Sequence, residues 1–580
     1  MDAEGQGRPV LTAAPAIHSA VNTLDTRALA ERLPAASDGE LAALFARRRV
    51  SGTANWHDFF DAAEALLAPE SVARAVAELP RDVLADLARG SGPERLGLTT
   101  PDGTPFAAVR AALGDAAPSR TPESTPAPAD DLAAAHAAER AFTTTSAIAD
   151  VLLIALRTPL ARVGTGAVGA ADKRRMAAEE IVRDADEADD LVALAEATGL
   201  LAAAERTWLV TPAGAAWVRT SSGARWASLA TALREALPAG LRTAEGGWID
   251  PALWDDAYPL AEGWAERAAR WRRLLRLAGL STEHGDAEPA WATPLRTGGD
   301  ADPAPLVALM PHEVDKVFLQ NDLTAISPGP LAPELDVRLQ SIAARESHAQ
   351  ASTYRFTEAS IGTALSSGET AESMLEFLAG LSLTGVPQPL QYLVQRTDER
   401  HGLVRVSLEP DSGHTIVSSP DHALLETIAV DQALRALGLI QDGRMLRTRA
   451  SRESVYWALA DAKYPVVALD SEGGSETLDR RRFAPSAPPT DPEKKYAPLI
   501  EAMRSAQSGD ADAAWLEREL DTAVRTKSVL EVDVSLPDGT TRTFLLEATG
   551  LGGGRLRGRD RAADVERTLP VKSITGVRPV

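Results

Sequence analysis

Val317-Phe-Leu-Gln-Asn-Asp-Leu-Thr-Ala-Ile-Ser-Pro-Gly-Pro-Leu331 is the stretch on which the reading of this chain turns. Phe318 to Ile326 reads as a strand, and Ser327-Pro-Gly-Pro330 ends it, since proline lacks the backbone donor a ladder needs. A helix over 333–346 follows, then Thr353-Tyr-Arg-Phe356 as a strand and helices over 360–365 and 372–381. Leu381-Ser-Leu-Thr-Gly-Val-Pro-Gln-Pro-Leu-Gln-Tyr-Leu-Val394 stops the second of these before Pro387. Strands at 403–406, 414–419 and 465–469 and a helix over 420–430 complete a mixed α/β unit bounded at 304 and 470.

Outward from this unit, two stretches read as linkers. Residues 117–133 and 471–495 are rich in proline, glycine and small polar residues, which bury little surface and favour extended chain. Residues 1–116 read as a helical N-terminal region, with Leu29, Leu33, Leu41, Leu44 and Phe45, then Phe59, Leu66, Val72 and Val76, at helical spacing. Residues 134–303 carry a weak internal repeat. In each copy a helix ends at glycine (Gly199, Gly279), a polar turn follows, and one strand leads into Thr211-Pro212 or Thr293-Pro294, a helix N-cap with proline behind it. That order predicts tandem winged-helix-like units. Residues 496–580 predict helices near 497–506 and 515–526, then three strands with a Pro537-Asp-Gly-Thr540 turn, forming a small barrel-like module. The fold class is therefore multi-domain α+β.

Bulk composition narrows the function. At 580 residues the chain supports about three to five domains. It has no cysteine, which excludes disulfides, thiolate metal sites and cysteine nucleophiles and suits a cytoplasmic location, nucleoid association included. It shows no N-terminal signal pattern and no run of roughly 18 apolar residues, so no membrane partner is expected. Its 60 basic and 82 acidic residues give a net charge of −22, which opposes indiscriminate binding to polyanions and leaves room for focal, weak contact with DNA.

Two motif matches dissolve on inspection. Gly164-Thr-Gly-Ala-Val-Gly169 has the string of a dinucleotide fingerprint, but a helix-like run ending at Pro159 precedes it, without a βαβ unit. Asp186-Glu-Ala-Asp189 spells a helicase box, yet the chain contains no Gly-Lys dipeptide to cradle a phosphate, and these carboxylates suit the start of a helix. Neither a Gly-x-Ser-x-Gly elbow nor His-Glu-x-x-His is present. The expectation is a non-enzyme with no cofactor, no catalytic residue and no metal site. Trp208, Trp217, Trp226, Trp248, Trp254, Trp264, Trp271 and Trp291 read as the cores of small modules.

Basic clusters remain as candidate DNA contacts. Lys173, Arg174 and Arg175 open one helix; Arg267, Arg270, Arg273 and Arg276 line the helix that ends at Gly279; Arg555, Arg557 and Arg559 alternate along a late strand. The helix of the first unit that would read bases, 191–198, carries Glu196 and no basic residue. The arginines before Gly279 are thus the preferred DNA surface of this region. Each cluster could equally be a solvated face or one paired internally with the surplus carboxylates.

The strings Asp322-Leu-Thr-Ala-Ile-Ser-Pro-Gly-Pro-Leu331 and Val386-Pro-Gln-Pro-Leu-Gln-Tyr-Leu393 closely resemble the helicase-associated domain at the N-terminus of XPB-type DNA helicases, which actinobacterial proteins without a motor also carry. In the helicase that domain docks onto a partner subunit. The resemblance implies a non-catalytic, DNA-associated adaptor of repair or transcription with a helicase or a repair or transcription protein as partner. The C-terminal module resembles a WYL domain but has Phe544-Leu545-Leu546 where that family has its defining triplet. This leaves a second reading, a winged-helix transcriptional regulator whose C-terminal module senses a ligand or nucleic acid.

Overall fold

The computed structural model describes residues 15–91, 96–114, 118–164, 166–347, 352–409, 413–476, 478, 482–485, 491–506, 511–536 and 539–579. They form two compact units, one of 124–254 with 266–486 and one of 1–123 with 255–265 and 487–580. Both are α+β; among the described residues the larger unit holds several small sheets and the other a single five-stranded one. Among the described residues no helix is long and apolar enough to cross a membrane.

The larger unit begins with α1 (Asp131–Arg157), whose first turn is capped by the Asp130 carboxylate accepting from the Ala133 amide at 2.8 Å. Then come β1 (Leu160–Val163), β2 (Ala167–Val168), α2 (Ala170–Ala178), α3 (Ala185–Ala197), β3 (Leu201–Ala204) and β4 (Thr207–Val210). The sheet runs β2-β1-β4-β3, antiparallel throughout. A strand therefore does precede the glycine string, against the sequence reading. It turns straight back into β2, with Gly164 and Gly166 at φ +52° and +123°, so no parallel crossover forms; Thr165 lies outside the described residues. The expected cap at Thr211 is present, its hydroxyl accepting from the Gly214 amide at 2.9 Å.

The second copy of the repeat is built differently. Between α4 (Ser222–Ala236) and α5 (Trp264–Leu277) stand two short 3-10 helices, Ala239–Leu241 and Pro251–Asp256, and the strand that follows α5, Ala287–Glu288, pairs in parallel with Ala127–Pro128. No antiparallel hairpin follows α5, and the expected Thr293 cap is absent. Thr293 instead donates to Glu288 at 2.7 Å from inside the short helix Ala292–Arg296, whose N-cap is Trp291. Tryptophans bind this half together: Trp226 donates to the Ala278 carbonyl and Trp291 to the Gly279 carbonyl, both at 2.8 Å. Seven of the eight tryptophans named above are buried, and Trp271 is half-buried.

Two cores fill the rest of this unit. The first joins β5 (Phe318–Leu319), β6 (Thr324–Ser327), α6 (Pro333–Ile342), β7 (Ala344–Ser347), β8 (Ser352–Arg355), α7 (Glu358–Ser366), α8 (Ala371–Leu381) and α9 (Gln388–Arg400) around Leu339, Tyr354, Phe356 and Leu378. The strand expected over 318–326 is two strands. Asp322 accepts from the Thr324 amide and hydroxyl, and Leu323 takes φ +65°, which folds the chain back as a hairpin. The second core gathers β9 (Val404–Leu408), β10 (Thr415–Ser418), α10 (His422–Val430), β11 (Ile440–Asp442), β12 (Met445–Thr448), α11 (Arg452–Asp461), β13 (Val466–Leu469) and β14 (Ser475–Glu476). Its sheet runs β11-β12-β10-β9-β13-β14, with β9 and β13 parallel.

In the other unit, helices Asp38–Arg47, Phe59–Leu67, Pro69–Ala77, Arg81–Ala88 and Ala107–Leu113 share one core with α12 (Pro492–Ser505), through Tyr496, Leu499, Ile500 and Met503. α12 starts inside the stretch read as a linker and packs with the N-terminal region, where the sequence reading assigned 496 onward to the C-terminal module. The Tyr496 hydroxyl donates to the Val50 carbonyl at 2.8 Å. α13 (Ala511–Thr526) leads into β15 (Val529–Ser535), β16 (Thr541–Gly552), β17 (Arg555–Asp560), β18 (Val565–Pro570) and β19 (Ile574–Pro579). These form an open antiparallel sheet in the order β18-β17-β16-β15-β19, so the expected barrel does not close. Pro537 and Asp538 of the expected turn lie outside the described residues.

Candidate nucleic-acid interface

On α2 the three basic residues part company. Lys173 is committed to Asp189 of α3, and Arg175 lies 3.0 Å from Asp172 on its own helix, while Arg174 is exposed. The Asp186-to-Asp189 string stands at the start of α3, where Asp184 caps the helix by accepting from the Asp186 and Glu187 amides. Asp189 also accepts from the Val168 amide at 2.9 Å. These carboxylates organise α3 and its join to α2. The exposed surface of α3 is consequently acidic, and its apolar face is buried.

The arginines of α5 are drawn into the unit to different degrees. Arg273 pairs with Asp190 of α3 at 3.4 Å, and Arg276 donates to the Glu283 carbonyl at 3.3 Å. Arg267 and Arg270 are exposed. On the opposite face Ala268 and Leu275 are buried. The helix is amphipathic as its sequence predicts, but part of its positive charge is spent within the fold.

On β17 the alternation is strict: Arg555, Arg557 and Arg559 are exposed, and Leu556, Gly558 and Asp560 are buried. Period-two side chains of one strand face the same way, so the three arginines share one face of the sheet. Arg559 pairs with Asp564 at 2.7 Å and Arg561 with Glu547 at 2.7 Å. Arg567 is held by the buried Asp560 at 2.6 Å, and this contact keeps that carboxyl below its ordinary range.

A feature the sequence did not disclose is a buried ionic cluster within the larger unit. Arg345 of β7 donates to both Asp150 oxygens at 3.0 Å and to Asp336 at 2.7 Å, and the Tyr354 hydroxyl donates to Asp336 at 2.6 Å. Burial acts to lower the Arg345 guanidinium, but Asp150 and Asp336 more than offset it and hold it above its ordinary value. Burial together with Asp336 pushes Tyr354 up. Asp150 sits on α1, so the cluster fastens that helix to α6, β7 and β8. A spacing of 195 residues between Asp150 and Arg345 hides such a partnership from any local pattern.

Each unit has a groove among its described residues. The one of about 340 Å³ is lined by residues including Val430, Asp431, Leu434 and Arg435, and the one of about 470 Å³ by residues including Trp56, His57 and Leu499. Asp431 is occupied by the Tyr464 hydroxyl at 2.8 Å, and His57 lies 3.3 Å from Asp61, so neither groove presents a nucleophile held by a base. Among the described residues no group of three or more His, Asp or Glu is placed to hold a metal.

With this geometry in view, comparison with known families gives one result. Residues 317–442 match the model of the helicase conserved C-terminal domain. The match takes in the whole of the first α/β core and ends in β11, so β12, α11, β13 and β14 of the second core lie beyond it. Comparison with curated proteins finds no match.

Proposed function

We propose that the chain is a non-enzymatic, nucleic-acid-associated adaptor of repair or transcription, in which the α/β region docks a protein partner as the resemblance to XPB-type helicases implies. The observation that carries this reading is a helicase-family module at 317–442 on a chain without a Gly-Lys phosphate cradle. The helix, strand, strand, helix, helix, strand, strand order of α1 to β4, with β4 between β1 and β3, favours a winged-helix reading of 131–210. Its acidic α3 makes base reading by that helix unfavourable, which fits an adaptor better than a sequence-specific regulator. Measuring ATP turnover with and without DNA tests the central point. The expected result is none; turnover above ~1 per second would overturn it.

A further inference from the structure

We propose that one end of the exposed β17 face, carrying Arg555, Arg557 and Lys572, docks the phosphodiester backbone of nucleic acid. This deepens the reading above and rests on its nucleic-acid association.

The charge at this end is unbalanced. Four cations of this sheet have a carboxylate: Arg559 has Asp564, Arg561 has Glu547, Arg567 has Asp560 and Arg578 has Asp533. Arg555, Arg557 and Lys572 are exposed and have no acidic partner among the described residues. The residues across from the two arginines are Gly552 and Gly550 on β16 and Pro570 and Thr568 on β18, and none is acidic. Lys572 belongs to the same end, because the Val571 amide beside it donates to the Gly554 carbonyl at 2.9 Å. In a chain of net charge −22, three uncompensated cations in one place form a local inversion of the molecule's field.

The shape fits a backbone as well. Gly553 and Gly554, at φ +61° and +70°, make the tight turn that joins β16 to β17. Gly552 takes no positive φ, and a Cβ added there or at Gly550 would meet nothing within 4 Å. Neither turn geometry nor packing requires glycine at 552, and its effect is to leave the strip beside Arg555 flat and open. Arg555 and Arg557 stand about 7 Å apart along the strand, a separation that successive phosphates of one backbone can match. The strip carries no aromatic side chain, so binding is through phosphates without base stacking and is indifferent to sequence.

The test uses the full chain, with binding of labelled duplex and single-stranded DNA followed by anisotropy. Three phosphate contacts contribute about 2.7 to the slope of log K against log salt on duplex and about 2.1 on single strands, so between 50 and 200 mM salt they account for about 40-fold and about 18-fold loss. Arg555→Ala/Arg557→Ala/Lys572→Ala is expected to remove that share of the slope, while Arg555→Lys/Arg557→Lys keeps it. Loss on one DNA form alone identifies that form as the ligand. An unchanged slope in the alanine variant overturns the inference, and it does so most plainly if Arg270→Ala/Arg273→Ala/Arg276→Ala weakens binding instead. Absence of salt-dependent binding by the unaltered chain overturns nucleic-acid association itself, a separate outcome.

Discussion

Arg345 stands between two carboxylates, and its removal would leave Asp150 and Asp336 facing each other, largely buried and without a countercharge. Breaking a buried ion pair from one side costs roughly 3–5 kcal/mol, so Arg345→Met should lower the urea midpoint of the larger unit sharply. Replacing Arg345, Asp150 and Asp336 together by apolar residues of similar size should recover most of that loss, and equilibrium unfolding of both variants checks it. Tyr464 offers a test in pH. Burial and its bond to Asp431 push its hydroxyl up to about 12. Between pH ~10 and ~12 the unfolded chain has released this proton and the folded chain retains it, so stability contributed by Tyr464 is intact below ~10 and falls as pH rises through that window. Tyr464→Phe should unfold with a shallower alkaline pH dependence, and an identical profile for both proteins would remove the assignment. Neither arrangement was legible beforehand, because each joins residues that share no local periodicity.

Helices and their ends were the most legible elements. Thr211 caps where its Thr-Pro pair predicts, and Thr370 and Ser373 of α8 form a reciprocal capping box. Thr370→Ala should cost about 1 kcal/mol, read as a shift in urea midpoint, with little effect on DNA binding. Strands were harder. Leu160-Ala-Arg-Val163 is short and sits between a proline and a glycine, and Leu201-Ala-Ala-Ala204 has too little β-branched character to announce β3, yet pairing with β4 makes both extended. At 321–323 a stretch read as one strand holds a turn set by a single carboxylate, that of Asp322. The basic clusters were visible as composition. Which of their cations remain uncompensated was not, since Asp189, Asp190 and Asp564 reach them only in the folded chain.

For the whole molecule, a charge of −22 sets the terms of any association with DNA. Long-range repulsion works against encounter while a few exposed cations hold the contact, so binding should be weak and lost steeply as salt rises from 50 to 200 mM. Binding that is unchanged across that range would contradict a phosphate-driven mode. The alternation around 317–331 was enough to recognise an α/β region, but the partnership of Tyr496 with Phe45 and Val50, some 450 positions away, had no trace in the sequence. That partnership has a consequence for biosynthesis. While the ribosome is still translating the middle of the chain, Leu41, Phe45 and Leu66 lack the helix that completes their core, and the nascent N-terminal region waits with an apolar face uncovered. A fragment stopped at 486 should therefore bind a hydrophobic dye and be cut rapidly by protease between 29 and 113. Adding a synthetic peptide of 491–506 in trans should restore protection.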